Sequence, residues 1–400
     1  MKVLLLCGYF AKENEQEVIE HARANVEFSA NEFQRKLIRG LQTQNQELYV
    51  VSAPFIGSYP NASDIRVFRE FRNGQNVCQY VPFYNLWGLR NFSRAKQLKK
   101  AIRFFTEMED PEKRIVVYCA HTPFLDAAAW AKKKDPRIHI SLYVPDLPNY
   151  MNLSEDRSKL YEIAKTFDIA KMHTYMASVD SYVLLTEPMT EMLPIGNKPY
   201  LVREGILEAE RLRKNTTADM SGDGYRDIVY TGKMYAKFGV KTLIDGFSML
   251  PRKDCRLVLC GDGDCMEYAR NVAEKDPRIL VLGQVTPEQA NRWQQCAAVL
   301  VNPRLDNETY TKYSFPSKNL EYLLTGKPVV ACILSGMPDI YREFLYEISD
   351  ATAYGVADAL CCALMAVPEE NERKHKAFLL YAEGNLTAER IAEELLEIGK

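Results

Sequence analysis

Ile228-Val229-Tyr230-Thr231-Gly232, Leu257-Val258-Leu259-Cys260-Gly261 and Ile279-Leu280-Val281-Leu282-Gly283 are three short apolar runs, each stopped by a glycine. The stretches between them are long enough for a helix. Short apolar runs that alternate with helical patterns mark strands buried on both faces in βα units around a parallel sheet. Val299–Asn302 and Pro328–Ala331 continue the series. A second series precedes it: Val3–Cys7, Leu48–Ser52, Val77–Val81, Ile115–Cys119, Ile138–Val144, Tyr182–Leu185 and Tyr200–Val202. Between the two, the chain turns polar and rich in turn formers.

The pattern predicts an α/β protein of two Rossmann-like parallel-sheet domains facing a central cleft. Residues 1–205 form the first domain, 206–226 a linker and 227–375 the second. Residues 376–400 form a final amphipathic helix that packs back toward the first domain, with Ile391, Leu395 and Leu396 on one face. Thr286-Pro287-Glu288-Gln289 reads as a capping box, and Gly326 followed by Lys327-Pro328 ends a helix that begins near Ser317.

At 400 residues, with 47% hydrophobic and 26% charged residues, the chain has material for two or three cores, which excludes disorder, collagen and coiled coil. Its 51 basic and 53 acidic residues give a net charge of −2, so no global attraction to nucleic acid is expected. The ten cysteines show no Cys-x-x-Cys or Cys/His zinc spacing and read as reduced thiols of a cytoplasmic protein. The first apolar run is too short for a signal peptide, and no run approaches a membrane span.

In open α/β sheets, ligands bind outside the carboxyl ends of the strands, so the loops there carry the chemistry. The densest is Tyr313-Ser314-Phe315-Pro316-Ser317-Lys318-Asn319-Leu320-Glu321. A helix start with the free amides of Ser317 and Lys318, a lysine and an entry fixed by Pro316 suits a diphosphate. One turn in, Glu321 is placed to accept from vicinal hydroxyls such as a ribose; the alternative is an ordinary surface helix with a solvated glutamate. Gly232, Lys233 and Lys237 form a loop suited to a leaving group that gains phosphate charge, against the alternative of plain exposed lysines. The turns at Gly261 and before Val285 offer backbone groups to a base. Asp262-Gly263-Asp264 imitates an Asp-x-Asp metal site but reads as a turn. Met266, at the third glycine position after Gly261 and Gly263, breaks the dinucleotide-binding fingerprint and argues against an oxidoreductase.

These segments resemble the C-terminal half of family 4 glycosyltransferases of the GT-B fold, most strongly over Ile228–Ala331. The resemblance implies that Lys233 and Lys237 contact the donor diphosphate and that Glu321 holds the nucleotide ribose. It also implies that Ser314-Phe315-Pro316 replace a glycine-rich turn near the donor sugar. The chain departs from the family at Tyr313, in place of a first glutamate, and at Phe238, in the usual lysine column. In the first half, Gly8 ends the first strand, as in relatives where that loop lies over the acceptor. His121 falls where the family often has a histidine near the transferred sugar, with a capping or core role as the alternative, and Asp146 also follows a strand.

From Phe71 to Thr106 there is no acidic residue, while Arg72, Arg90, Arg94, Lys96, Lys99, Lys100 and Arg103 are present. Tyr80, Phe83, Tyr84, Trp87 and Phe92 lie among or before them. A basic helix preceded by an aromatic loop suits anionic headgroups or a lipid diphosphate, with a solvated helix face over core aromatics as the alternative. No nucleic-acid motif accompanies the charge.

The resemblance to family 4 thus implies a hexosyltransferase working in bacterial cell-surface polysaccharide biosynthesis, such as capsule or exopolysaccharide. It would be retaining, metal-independent and without a cofactor beyond the nucleotide-diphosphate sugar. The acceptor would be a glycan or polyprenyl-diphosphate-linked glycan at the inner face of the membrane. The remaining alternatives are a noncatalytic GT-B partner subunit and a nucleotide-sugar epimerase.

Overall fold

The computed structural model describes residues 1–24, 26, 28–44, 46–71, 78–148, 159–212, 224–306 and 309–400. Most of the expected linker, Arg72 and Val77 lie outside them. The chain divides into two compact units, Met1–Glu208 with Asn385–Lys400, and Ala209–Gly384.

The strands of the first unit are β1 (Lys2–Cys7), β2 (Glu47–Ser52), β3 (Val67–Phe68), β4 (Gln79–Tyr80), β5 (Phe83–Tyr84), β6 (Lys113–Tyr118), β7 (Ile138–Val144), β8 (Ser181–Leu184) and β9 (Tyr200–Val202). Seven of them form a parallel sheet in the order β4-β2-β1-β6-β7-β8-β9. β1 is covered on both faces, which is why its sequence is one apolar run: Val3, Leu4, Leu5, Leu6 and Cys7 are all buried. Val3, Leu5 and Cys7 share a core with Leu37, Ile38 and Leu41 of the helix Phe28–Gln42 and with Ile391, Ala392 and Leu395 near the C-terminus. A side chain at Gly40 would meet the Ala388 carbonyl oxygen at 2.1 Å, so glycine lets these two helices approach.

The end of the chain differs from the single helix expected. Two helices, Pro368–Asn385 and Ala388–Glu397, are separated by Leu386, fully buried, and Thr387, whose hydroxyl caps the second by accepting from the Arg390 amide at 3.3 Å. The second helix belongs to the first unit, where the buried Arg114 donates to the carbonyls of Leu395 and Ile398 at its end. β3 and β5 were not expected: they pair antiparallel, Val67 with Tyr84 and Phe68 with Phe83, and two-residue strands carry no readable period.

The second unit contains β10 (Arg226–Thr231), β11 (Cys255–Cys260), β12 (Ile279–Gly283), β13 (Val299–Asn302), β14 (Val329–Ala331) and the unexpected β15 (Tyr346–Glu347). They form a second parallel sheet in the order β12-β11-β10-β13-β14-β15. Ile228, Leu257, Leu259, Val299 and Val301 pack with Leu243, Phe247 and Leu360. The capping box forms as expected at the helix Pro287–Cys296: Thr286 Oγ1 accepts from the Gln289 amide, and Gln289 Oε1 accepts from the Thr286 amide. In each sheet the strand order reverses once, between β1 and β6 and between β10 and β13. Those two switch points are where an open α/β sheet leaves a crevice.

Candidate active-site regions

At the β1/β6 switch point of the first unit, a cavity of about 480 Å3 is lined by Gly8, Phe55, Arg90, His121 and Asp146 among others. The helix Phe28–Gln42 holds the loop after β1 in place. Gln34 Oε1 accepts from the Gly8 amide at 2.7 Å, and Asn31 accepts from the Phe10 amide and donates to its carbonyl. The Phe55 ring occupies the space a side chain at Gly8 would need, 2.4 Å from the Cβ position. β6 ends one residue earlier than expected. Cys119 adopts a left-handed conformation with φ 63°, a strained choice for a cysteine, and this turns the chain toward His121.

His121 precedes the helix Thr122–Lys134, but its side chain does not cap it. The ring lies edge-on to Phe55 and Phe124, with centroids 5.6 and 4.8 Å away, and Nδ1 is buried with no hydrogen-bond partner among the described residues. Burial, then the charges of Arg94 and Arg90, push its pKa well below the ordinary histidine value. His121 is therefore a neutral imidazole facing a cavity.

Arg94 requires a correction to the basic face. It is fully buried, donates to the Pro54 carbonyl at 2.6 Å and lies 4.1 Å from the Phe83 ring centroid. It is a fixed internal cation, because the helix Arg90–Ala101 turns Ser93, Arg94, Ala95 and Leu98 inward. Tyr80 and Phe83 are likewise packed inside, with Phe68 and Phe71.

At the β10/β13 switch point of the second unit, the loops after the strands are stacked by backbone bonds. The Gly232 amide donates to the Cys260 carbonyl and the Gly261 amide to the Gly283 carbonyl. Gly261 has φ 151°, and a Cβ there would sit 1.7 Å from the Gly232 carbonyl oxygen, so only glycine fits. Asp264 Oδ1 accepts from the Ala236 amide at 2.8 Å, and Asp262 Oδ1 accepts from the Gly263 amide. Both carboxylates thus shape a turn that pins the loop Lys233–Phe238. Lys233 and Lys237 are exposed on that loop, with Lys237 Nζ 5.6 Å from the Tyr235 and Phe238 ring centroids. Val285 lies beyond β12, half-buried and two strands away from the switch point.

The helix Ser317–Leu323 closes the region. Pro316 stands at its N-cap, Ser317 is exposed, and no side chain caps it. The Lys318 stem lies against Gly232: Cε is 3.1 Å from where a Cβ would be. Lys318 Nζ pairs with Glu321 at 3.4 Å, and Glu321 is half-exposed. Burial works against the Lys318 ammonium, but Tyr322 and Glu321 outweigh it and hold its pKa above the ordinary lysine value. Phe315 and Pro316 are buried, the Phe315 ring against Tyr341, so their side chains are not offered to a ligand. Tyr313, in the glutamate column of the resemblance, is buried too.

Three residues of this region were missed in the sequence. Tyr322 bonds to Thr231 at the end of β10, and Asn319 Oδ1 accepts from Asn302 Nδ2 at 2.7 Å at the end of β13, so the helix spans the switch point. Arg304, two residues after β13, donates to Ser314 Oγ at 2.7 Å and lies over the Tyr310 and Phe238 rings. An arginine just past a switch-point strand is the signal that marks it.

No curated protein matches this sequence. Residues 225–366 match the family model described as glycosyl transferases group 1. Among solved structures, the chain is similar to HepE of Anabaena in complex with UDP (12% identity, 99% of each chain, TM-score 0.59). It is also similar to sucrose-phosphate synthase of Thermosynechococcus elongatus (15% identity, 99% of this chain and 97% of that one, TM-score 0.58). A third is a glycosyltransferase of Rickettsia africae (10% identity, 99% and 97%, TM-score 0.63). At these identities the structures speak for the fold and the family model for residues 225–366. The protein has the GT-B fold, and within it residues 225–366 match the model of the glycosyl transferases group 1.

Proposed function

We propose that the protein transfers a hexosyl group from a nucleotide sugar to a glycan or polyprenyl-diphosphate-linked glycan at the inner face of a membrane, in the assembly of a bacterial cell-surface polysaccharide. The family match over residues 225–366 supports glycosyl transfer. The observation that supports nucleotide-sugar binding is the convergence, at the β10/β13 switch point, of the Gly232 loop, Lys318 packed on Gly232, and Glu321 paired to Lys318.

In this proposal Lys233, Lys237 and Lys318, with the backbone of Ser314–Ser317, meet the charge of the donor diphosphate. Arg304 braces Ser314. Glu321 exchanges its bond to Lys318 for the ribose hydroxyls, and the backbone at Gly261 and Val285 faces the base. The acceptor occupies the cavity of the first unit, where Gly8, Arg90 and Asp146 line it, Arg94 supplies a fixed charge beneath, and neutral His121 accepts or donates one hydrogen bond. The resemblance to family 4 implies retention of anomeric configuration, with the departing diphosphate helping to deprotonate the acceptor and no protein nucleophile. HepE is solved with UDP and with UDP-glucose, which makes uridine nucleotides the first donors to try.

The test is a single-turnover reaction with UDP- and GDP-hexoses and a polyprenyl-diphosphate-linked glycan. Nucleoside diphosphate and an extended lipid product should appear together, with the donor's anomeric configuration. Lys233→Ala should slow the reaction about 100-fold. The burial of Tyr313 in place of a family glutamate favours one other reading, a noncatalytic partner subunit, which would bind nucleotide without turnover. A released epimerised nucleotide sugar would instead mark an epimerase.

A further inference from the structure

We propose that an exposed corner of the first unit, formed by Val67, Tyr84, Trp87, Leu89 and Phe92, inserts into an anionic bilayer beside the His121 cavity. Insertion stands on the surface alone; entry of the acceptor from that bilayer rests on the proposed glycosyl transfer.

The corner is apolar where solvent demands otherwise. Trp87 is 65% exposed and Phe92 70%, with Val67, Tyr84 and Leu89 between 41% and 56%. They belong to one local structure. Across the β3–β5 ribbon, Phe68 and Phe83 stack inward at 5.3 Å while their neighbours Val67 and Tyr84 pair outward. Ser93 Oγ accepts from the Tyr84 amide at 3.1 Å, tying the ribbon to the helix Arg90–Ala101 next to Phe92.

On that helix, Leu89 at the N-cap, Phe92, Lys96 and Lys100 recur at spacings of three and four, a single stripe that passes from apolar to cationic. Lys96, Lys100 and Arg103 are exposed, whereas Lys99 is paired with Asp126. Arg66 and Arg69 flank Val67 and are exposed as well. From Ile65 to Thr106 the sequence has nine basic residues and one acidic residue, Glu70. Tryptophan and tyrosine at headgroup depth, phenylalanine and leucine just below, and a surrounding ring of cations match the strata of an anionic leaflet. The charge points the same way, since the cores of protein interfaces are depleted of lysine. No helix among the described residues is long and apolar enough to cross a membrane.

The corner is also continuous with the cavity wall. Asn85, fully buried between Tyr84 and Leu86, donates from Nδ2 to the carbonyls of Gly57 and Ile65, at 2.7 and 2.9 Å. Both of those residues line the cavity, as does Arg90 at the start of the helix. Docking the corner on a leaflet thus brings one wall of the cavity to the lipid surface.

The experiment is sedimentation of the full chain, without nucleotide, with phosphatidylcholine vesicles containing or lacking about one-third phosphatidylglycerol. Binding to the anionic vesicles is expected. Each lysine near the surface contributes about fivefold, so Lys96→Glu/Lys100→Glu should weaken it by at least about 25-fold. Trp87→Ser/Phe92→Ser should abolish it, and neither pair should change the melting temperature, because all four side chains are exposed. In a Trp130→Phe/Trp293→Phe background, Trp87 emission should move to the blue on adding vesicles. Absence of binding to the anionic vesicles, or binding that both variants leave intact, would overturn the proposal. So would self-association that Trp87→Ser/Phe92→Ser abolishes while vesicles have no effect, which would assign the corner to a second copy of the chain. Sugar transfer to a soluble acceptor is read without vesicles, so either proposal can fail alone.

Discussion

The Tyr322 hydroxyl accepts a hydrogen bond from the Thr231 amide at 3.0 Å and lies 3.3 Å from its carbonyl oxygen. A side chain on the helix of Lys318 and Glu321 thereby closes the last backbone positions of β10, immediately before Gly232. Gln294 Nε2, donating to Thr231 Oγ1 at 2.8 Å, completes the knot.

Tyr322→Phe keeps the ring and deletes the hydroxyl, leaving a buried amide unpaired. The expected loss is about 1–3 kcal/mol in urea unfolding. Nucleotide affinity should fall as well, because Glu321 and Lys318 lose their fixed relation to the Gly232 loop. Unchanged stability with unchanged affinity would show that the helix is held by other contacts.

Gly261→Ala meets two obstacles, a backbone conformation disfavoured for alanine and a Cβ 1.7 Å from the Gly232 carbonyl oxygen. A cost of about 2 kcal/mol or more is expected from thermal unfolding. Gly384→Ala, where no atom outside its own helix backbone lies within 4 Å of the added methyl, is the control and should be close to neutral.

The parts of the fold legible in the sequence were those carried by continuous apolar runs. β1, β7, β11 and β13 bury both faces, so their residues had no other reading. The β3–β5 ribbon and β15 escaped because two residues show no alternation. The break in the final helix falls at Asn385-Leu386-Thr387, a helix-stopping asparagine and a capping threonine around one apolar residue, and it becomes plain once Leu386 is seen fully buried and Thr387 capping the next helix. In the candidate site, Gly232, Lys318 and Glu321 stood out through residue type and spacing. Asn319 and Tyr322 did not, since a buried asparagine and tyrosine look like ordinary helix positions until their partners are known. Nor does sequence tell a buried arginine from an exposed one: Arg94 and Lys96 are two residues apart and serve opposite sides of one helix.

Histidine burial sets a pH dependence. Burial lowers the pKa of His121, and burial together with Arg114 lowers that of His139 to about 4. The folded chain resists protonation at both sites, so the unfolded chain, with an ordinary histidine pKa of about 6.5, takes up protons first. Stability from these groups is fully present above that value and is lost as the pH falls from about 6.5 toward 4. His121→Gln should flatten the profile in this window by up to about 1.4 kcal/mol per pH unit in denaturant titrations. A parallel profile would mean that His121 is hydrated and titrates normally.

The proposed binding of a nucleotide sugar by residues 225–366, through the Gly232 loop and Glu321, is tested by thermal unfolding with UDP, GDP and ADP. At 100 times its dissociation constant, a ligand of the native state adds about 2.7 kcal/mol, which is about 5–10 °C for a unit of this size. A rise with one nucleotide that shrinks in Glu321→Ala is the predicted result. No rise with any of the three, or an equal rise in Glu321→Ala, would contradict the assignment.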